Sequence, residues 1–401
     1  MNFVSGGTIT SPQGFRAGAT YAGIKKKTPR VLDLSMLYAE VPCVTAGVFT
    51  TNKIKSAPVI LNQEKLKRGR AVAIIANSGC ANASTGEQGL SDAARMADLA
   101  ANALGAEPED VFVASTGVIG QPLPIKLIEA GIKQIVLSRE GGHDMARAIM
   151  TTDTRPKEIA ITAAIGGKQF TIGGIAKGAG MIHPNMATMF CFLTTDAVVE
   201  AGFLKSALRQ AADLSFNMIS VDGDTSPSDT VLILANGLAG NKPITQRSQG
   251  AKIFQEALDR ACIYLAKAIA GDGEGATKLI QVTVNGAASL ADARVTARTV
   301  VNSPLVKTAV NGGDPNWGRI VVAAGRSGAE LIENKLDLAI GEVNVLEGGR
   351  PLNYSEASVA QVFNRKEVPI TLDLNLGNAS ATAWGCDLSK EYVTINSQYM
   401  T

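Results

Sequence analysis

A threonine preceded by glycines and followed by an apolar run is the strongest nucleophile candidate in this chain. Residues 177–197 read KGAGMIHPNMATMFCFLTTDA. Gly178, Gly180 and Pro184-Asn185 allow close backbone approach and a sharp turn. Met189 to Leu193 is an apolar run of strand length, and Thr188 stands where the loop meets it. Spacing leaves two readings open: an ordinary threonine at a strand start, or a hydroxyl displayed on a rigid element.

The histidines bear on that choice. There are only two, and neither fits a Ser/His/Asp triad. His143 follows Gly-Gly at a helix start. His183 reads as an exposed loop residue, with a role as base left open. A threonine can instead use its own α-amine as the base, since that amine titrates near ~7.7–8. This requires the Ala187–Thr188 bond to be cut, with Thr188 Oγ attacking the carbonyl of Ala187 in an N-to-O acyl shift.

Other stretches offer partners. Strand 110–114 (DVFVA) runs into Ser115-Thr116-Gly117, where turning backbone presents N–H groups to an anion or oxyanion; a plain strand-to-loop turn is the alternative. Gly271-Asp272-Gly273-Glu274-Gly275 is not a phosphate loop, because the GK[ST] ending is absent. Its acids held near tight backbone suit an ammonium ligand. Asp222-Gly223-Asp224 lacks the remaining positions of a calcium loop and reads as a structural acidic turn, so no metal site is expected.

The elements that must position these groups follow from periodicity and punctuation. Strands are expected near 32–38, 43–49, 71–76 and 110–114, and a hairpin over 158–164 and 169–172 around Gly166-Gly167. Further strands are expected at 230–235, 336–340, 343–346, 369–376 and 392–395. Helices are expected from Ser91 to Gly105, over 143–150 and 201–217, and from 249 to 270. The last carries Phe254, Leu258, Cys262, Leu265 and Ile269 on one face. Ser303-Pro304 and Asp314-Pro315 read as helix starts. The texture shifts to shorter strands near 280, which predicts a main catalytic domain over 1–280 and a smaller second domain over 281–401.

Bulk properties set the class. The chain has 401 residues, 46% hydrophobic and only 5% aromatic, with 41 glycines. A core of small side chains favours layered α/β structure. A net charge of +2 argues against nucleic acid or an anionic membrane as partner. The basic runs Lys25-Lys26-Lys27 and Lys65 to Arg70 read as solvated loops. Five scattered cysteines without CxxC spacing suit reduced thiols. With no apolar run of membrane-spanning length and no presequence pattern, a soluble cytoplasmic protein is expected.

Taken together, KGAGMIHPNMATMFCFLTTDA, STGVIG, TTDT, VDGDTS, GDGEGATK and the C-terminal NSQYMT resemble the glutamate N-acetyltransferase (ornithine acetyltransferase) family of arginine biosynthesis, in motif order along essentially the whole chain. The resemblance implies an α/β/β/α sandwich layered like the N-terminal nucleophile hydrolases, with a smaller second domain. It implies self-cleavage at Ala187–Thr188 into chains 1–187 and 188–401, assembled as an α2β2 heterotetramer. The implied reaction carries acetyl from N-acetylornithine to glutamate through an acetyl-Thr188 ester. No cofactor is implied, and acetyl-CoA as a second donor stays open.

By motif position, Thr116 and Gly117 resemble the family's oxyanion-hole pair. Thr151, Lys177, Glu274, Asn396 and Thr401 resemble its substrate-binding residues, alongside Thr188. His183 departs from an expected small residue, and Pro227-Ser228 from an expected Thr-Asn. Two rivals remain: a self-processing aminopeptidase or amidase, in which water resolves the acyl-enzyme, and an uncleaved binding protein.

Overall fold

One long strand, Leu34–Phe49, organises the first of two sheets. Its first half pairs antiparallel with Phe15–Thr20 and Arg70–Cys80, and its last six residues pair antiparallel with Thr230–Ala235. A register shift between Tyr38 and Cys43 marks where it bends. The nine-stranded sheet therefore folds over itself. Phe15, Leu37, Ile74, Phe112 and Ala114 from one half share a core with Ile175, Phe190, Phe192, Leu232 and Leu234 from the other.

Alternation explains how both faces of these strands are buried. Phe190 and Phe192 face the inter-sheet core, while Cys191 and Leu193 face the opposite one. Phe112 and Ala114 face the inter-sheet core, while Val111 and Val113 face helices. Helices Ala57–Lys65, Gly86–Leu104 and Ile125–Ile132 cover one outer face. Helices Ala201–Leu214 and Gly250–Ala270 cover the other. This is the α/β/β/α sandwich that the family resemblance implied. The structure is a computed structural model that describes residues 1–25, 31–183 and 189–398.

A second, seven-stranded sheet is built from Ile219–Ser220 and the strands that begin at Leu279. Helix Leu290–Val301 packs on it. All five cysteines are buried and unbridged. Among the described residues no helix is long and apolar enough to cross a membrane.

Several elements differ from the sequence reading. The two expected strands 32–38 and 43–49 are one, because the intervening Glu40-Val41-Pro42 bends the ladder without breaking it. The first Ala-rich helix starts at Gly86 rather than Ser91. The helix expected at Asp314-Pro315 starts at Gly318, after a turn closed by Asn316 N–H on Asp314 O. Residues 392–395, read as a strand, lie in helix Lys390–Ser397. None of its side chains is fully buried, so no sheet face draws this segment away from helix. Other expectations match closely. The hairpin pairs Lys157–Ile165 with Lys168–Lys177, and Gly166 and Gly167 both take positive φ, as a type I′ turn requires. The apolar stripe from Phe254 to Ile269 is fully buried.

Candidate active site

Thr116, Gly117, Thr151, Lys177, Glu274 and Asn396 line a single cavity of ≈ 400 Å³. They come from five separate stretches of chain. Ala187, Thr188 and Thr401 lie outside the described residues.

Thr116 and Gly117 close strand Val111–Val118, which runs parallel to Arg70–Cys80 with Gly79 opposite Gly117. Gly117 has φ of 129°, and a Cβ there would sit 2.4 Å from the Gly79 carbonyl carbon. Only glycine lets the two backbones meet this closely. The strand is longer than the sequence suggested and carries its Thr-Gly end to the cavity wall.

Lys177 ends the hairpin strand and pairs with Phe190, the first residue of strand Phe190–Thr195. Met189 is fixed by Thr230 N–H donating to its carbonyl at 3.0 Å. The described chain on both sides of residues 184–188 is therefore anchored in the central sheet at Lys177 and Met189. The Lys177 ammonium is buried, and burial lowers its pKa while the nearby Asp153 charge opposes that fall.

Asp153 belongs to the TTDT stretch and is also buried. Burial works against its charge, yet Lys157 and Lys177 hold its carboxyl down at about 2. It accepts from Lys157 Nζ at 2.6 Å, from Gly178 N–H at 2.6 Å and from Thr151 N–H at 3.0 Å. Lys157 Nζ also donates to Asp272 at 2.6 Å. Asp272 in turn accepts from Thr154 through both N–H and hydroxyl. One buried Asp–Lys–Asp chain thus ties together TTDT, the Lys177-Gly178 corner and the GDGEG turn.

Glu274 is buried at the cavity edge. Its N–H donates to Ala179 O at 2.8 Å, and its carboxylate accepts from Asn396 Nδ2 at 2.8 Å. A Cβ on Gly180 would lie 2.4 Å from that carboxyl group, so Gly180 leaves the space Glu274 occupies. Asn396 also donates to Tyr392 O, one helical turn back. Helix Lys390–Ser397 is held in place by Ser389 Oγ donating to Gly275 O.

The VDGDTS turn supports the 178–183 loop. Asp222 accepts from Met181 N–H at 2.6 Å and Ile182 N–H at 2.9 Å. Met181 has φ of 56°, a left-handed conformation that a non-glycine residue holds only when its surroundings impose it. His183, expected to be exposed, is half-buried instead. Its ring lies 2.9 Å from Ser220 Oγ and 3.0 Å from Arg298 Nη2. Burial and the Arg298 charge lower its pKa to about 4, so the ring is neutral near pH 7.

The sequence reading passed over Asp153, Lys157 and Asp222 as site components, and gave Asp272 to an ammonium ligand where the structure puts the Lys157 ammonium. Asp153 and Asp222 were visible as acids inside the motifs. Lys157 carried no local signal at all.

A cavity with a buried ammonium, a fixed carboxylate and a Thr-Gly strand end, beside a Gly-rich loop in a layered α/β sandwich, has the parts an acyltransferase needs. The model of the ArgJ family matches residues 16–401, and the chain belongs to that family: it is an acyltransferase of arginine biosynthesis. "Arginine biosynthesis bifunctional protein ArgJ" of Dehalococcoides mccartyi is 54% identical over 401 residues, covering 100% of this chain and 99% of that protein. Its namesake in Symbiobacterium thermophilum is 54% identical over 403 residues, with full coverage of both. The crystal structure of the Bacillus halodurans protein of the same name is 45% identical with a TM-score of 0.51, covering 52% of this chain and 98% of that one.

Proposed function

We propose that this chain cuts itself between Ala187 and Thr188 and then transfers acetyl from N2-acetylornithine to glutamate by a ping-pong mechanism. The observation that carries the reading is the ring of Lys177, Glu274 and Thr116-Gly117 around one cavity, with Lys177 paired to Phe190 in the central sheet. Both amino-acid substrates present an α-carboxylate and an amine. Lys177 complements the carboxylate and Glu274 the ammonium group. Thr151 and Asn396 orient the substrate, a part we also assign to Thr401.

In the first step Thr188 Oγ attacks the acetyl carbonyl while the Thr188 α-amine takes the hydroxyl proton. Thr116 and Gly117 stabilise the oxyanion. Collapse returns the proton to the departing nitrogen, releasing ornithine and leaving acetyl-Thr188. The glutamate amine then attacks the ester by the same route, giving N-acetylglutamate and free Thr188. The reaction as written needs no cofactor. Support for the cut comes from length: the Bacillus halodurans chain is matched almost end to end by 52% of this one, and 188–401 is 214 of 401 residues. Processed protomers are proposed to pair as an α2β2 assembly in the cytoplasm. The word "bifunctional" in the relatives' names supports a second acetyl source, for which we propose acetyl-CoA.

The test is to incubate the purified protein with N-acetylornithine and glutamate and follow products by mass spectrometry. Ornithine and N-acetylglutamate should appear one for one. Acetate accumulating without N-acetylglutamate would overturn the transferase reading in favour of a hydrolase. A parallel incubation with acetyl-CoA and glutamate alone tests the second donor.

A further inference from the structure

A second cavity, of ≈ 610 Å³, lies beside the 178–183 loop and is lined by Arg294, Arg298, Arg326, Thr299, Asn302 and His183. Met181 lines the catalytic cavity and His183, two residues on, lines this one. A single loop thus separates the two. Among the described residues no carboxylate lines the second cavity.

Arg294 and Arg298 stand one turn apart on helix Leu290–Val301, a like-charge spacing that disfavours the helix by itself. Arg294 has one long ion pair, to Asp213 at 3.9 Å. Among the described residues the Arg298 side chain has one hydrogen-bond partner, the neutral His183 ring, and its Nε is buried without one. Burial and the Arg294 charge both work against the Arg298 guanidinium. Arg326 follows helix Gly318–Gly325 and brings a third positive group from another element. Leu290 and Val295, exposed at 53% and 39%, add apolar area on one wall.

We propose that this arginine cleft is a binding site for a small phosphoanion. Three guanidinium groups with almost no counter-charge leave a positive field that an anion relieves. Planar donor forks meet phosphate oxygens two at a time, and a phosphate carries more charge per volume than a carboxylate. The site stands independently of the transfer reaction proposed above. One source of the anion is the phosphorylated nucleotide end of a coenzyme A thioester. The other is a free polyphosphate or nucleotide.

Calorimetric titration of the full chain at low ionic strength with coenzyme A, pyrophosphate and citrate tests this. Coenzyme A and pyrophosphate should bind, with citrate at least about tenfold weaker. Arg294→Gln with Arg326→Gln should raise both dissociation constants about tenfold or more, while acetylornithine-to-glutamate transfer and the circular dichroism spectrum stay unchanged. Tighter binding of coenzyme A than of pyrophosphate assigns the site to the thioester, and equal binding assigns it to free polyphosphates; both uphold a phosphoanion site. The proposal is overturned if neither phosphate ligand binds at millimolar concentration, if the double variant binds them unchanged, or if citrate binds equally well. It is also overturned if the double variant changes the oligomeric state, which would make the cleft an interface between copies of this chain.

Discussion

Glu274 and Gly180 show how the absence of one methyl group shapes the pocket. Gly180→Ala would place a Cβ 2.4 Å from the Glu274 carboxyl group, forcing that carboxylate about 1 Å out of position. A displacement of that size costs roughly 10²-fold in rate. The expected result is a kcat/KM for glutamate lowered by about that factor, with an unchanged circular dichroism spectrum. Thr188 is tested more simply. Thr188→Ala should stay one chain by intact mass and show no transfer; residual turnover would place the nucleophile elsewhere. His183 gives a pH signature. Burial and Arg298 lower its pKa from 6.5 to about 4, so between those values the unfolded chain binds the proton that the folded chain refuses. Stability is thus present above about 6.5 and is lost as pH falls towards 4. His183→Gln should flatten the fall of the thermal midpoint across that window.

At the scale of elements, the Asp153–Lys157–Asp272 chain joins a turn and the strand that follows it to a helix end more than a hundred residues further along the sequence. Lys157 is almost wholly buried. Removing one partner of a buried ion pair leaves charge without compensation and costs about 3–5 kcal/mol. Lys157→Met should therefore lower the urea midpoint by an amount equivalent to that energy. It should also impair transfer, because Asp153 holds the N–H groups of Thr151 and Gly178. Asp222 plays a similar part for Met181 and Ile182. Each supporting acid accepts backbone N–H groups, which fixes loop geometry more firmly than side-chain packing alone.

Across the whole molecule, the strands on either side of the proposed cut are neighbours in one sheet. Ile172–Lys177 and Phe190–Thr195 pair over six residues, and Phe190–Thr195 also pairs along its whole length with Thr230–Ala235. Cutting Ala187–Thr188 removes none of these contacts. The processed protein should therefore run as one species under native conditions and as two, of 187 and 214 residues, in denaturant. A single full-length species after prolonged incubation would overturn self-cleavage.

Local rules explain much of what the sequence alone determined. Gly166-Gly167 marked the hairpin because a tight turn needs two positive φ values. The stripe from Phe254 to Ile269 marked a buried helix through its spacing. The motif blocks carried the family resemblance, and with it Thr116, Gly117, Thr151, Lys177, Glu274 and Asn396, which line one cavity. Tertiary structure decided the rest, because burial and long-range pairing have no local signature. Residues 392–395 are helical because no sheet edge receives them. His183 is neutral near pH 7 because folding buries it and packs a distant arginine against it. Lys157 matters because folding brings Asp153 and Asp272 to the same ammonium group. Thr188 was the starting point for the chemistry, and Lys177 and Met189, on the described chain either side of residues 184–188, are set by pairings to Phe190 and Thr230 that span the sheet.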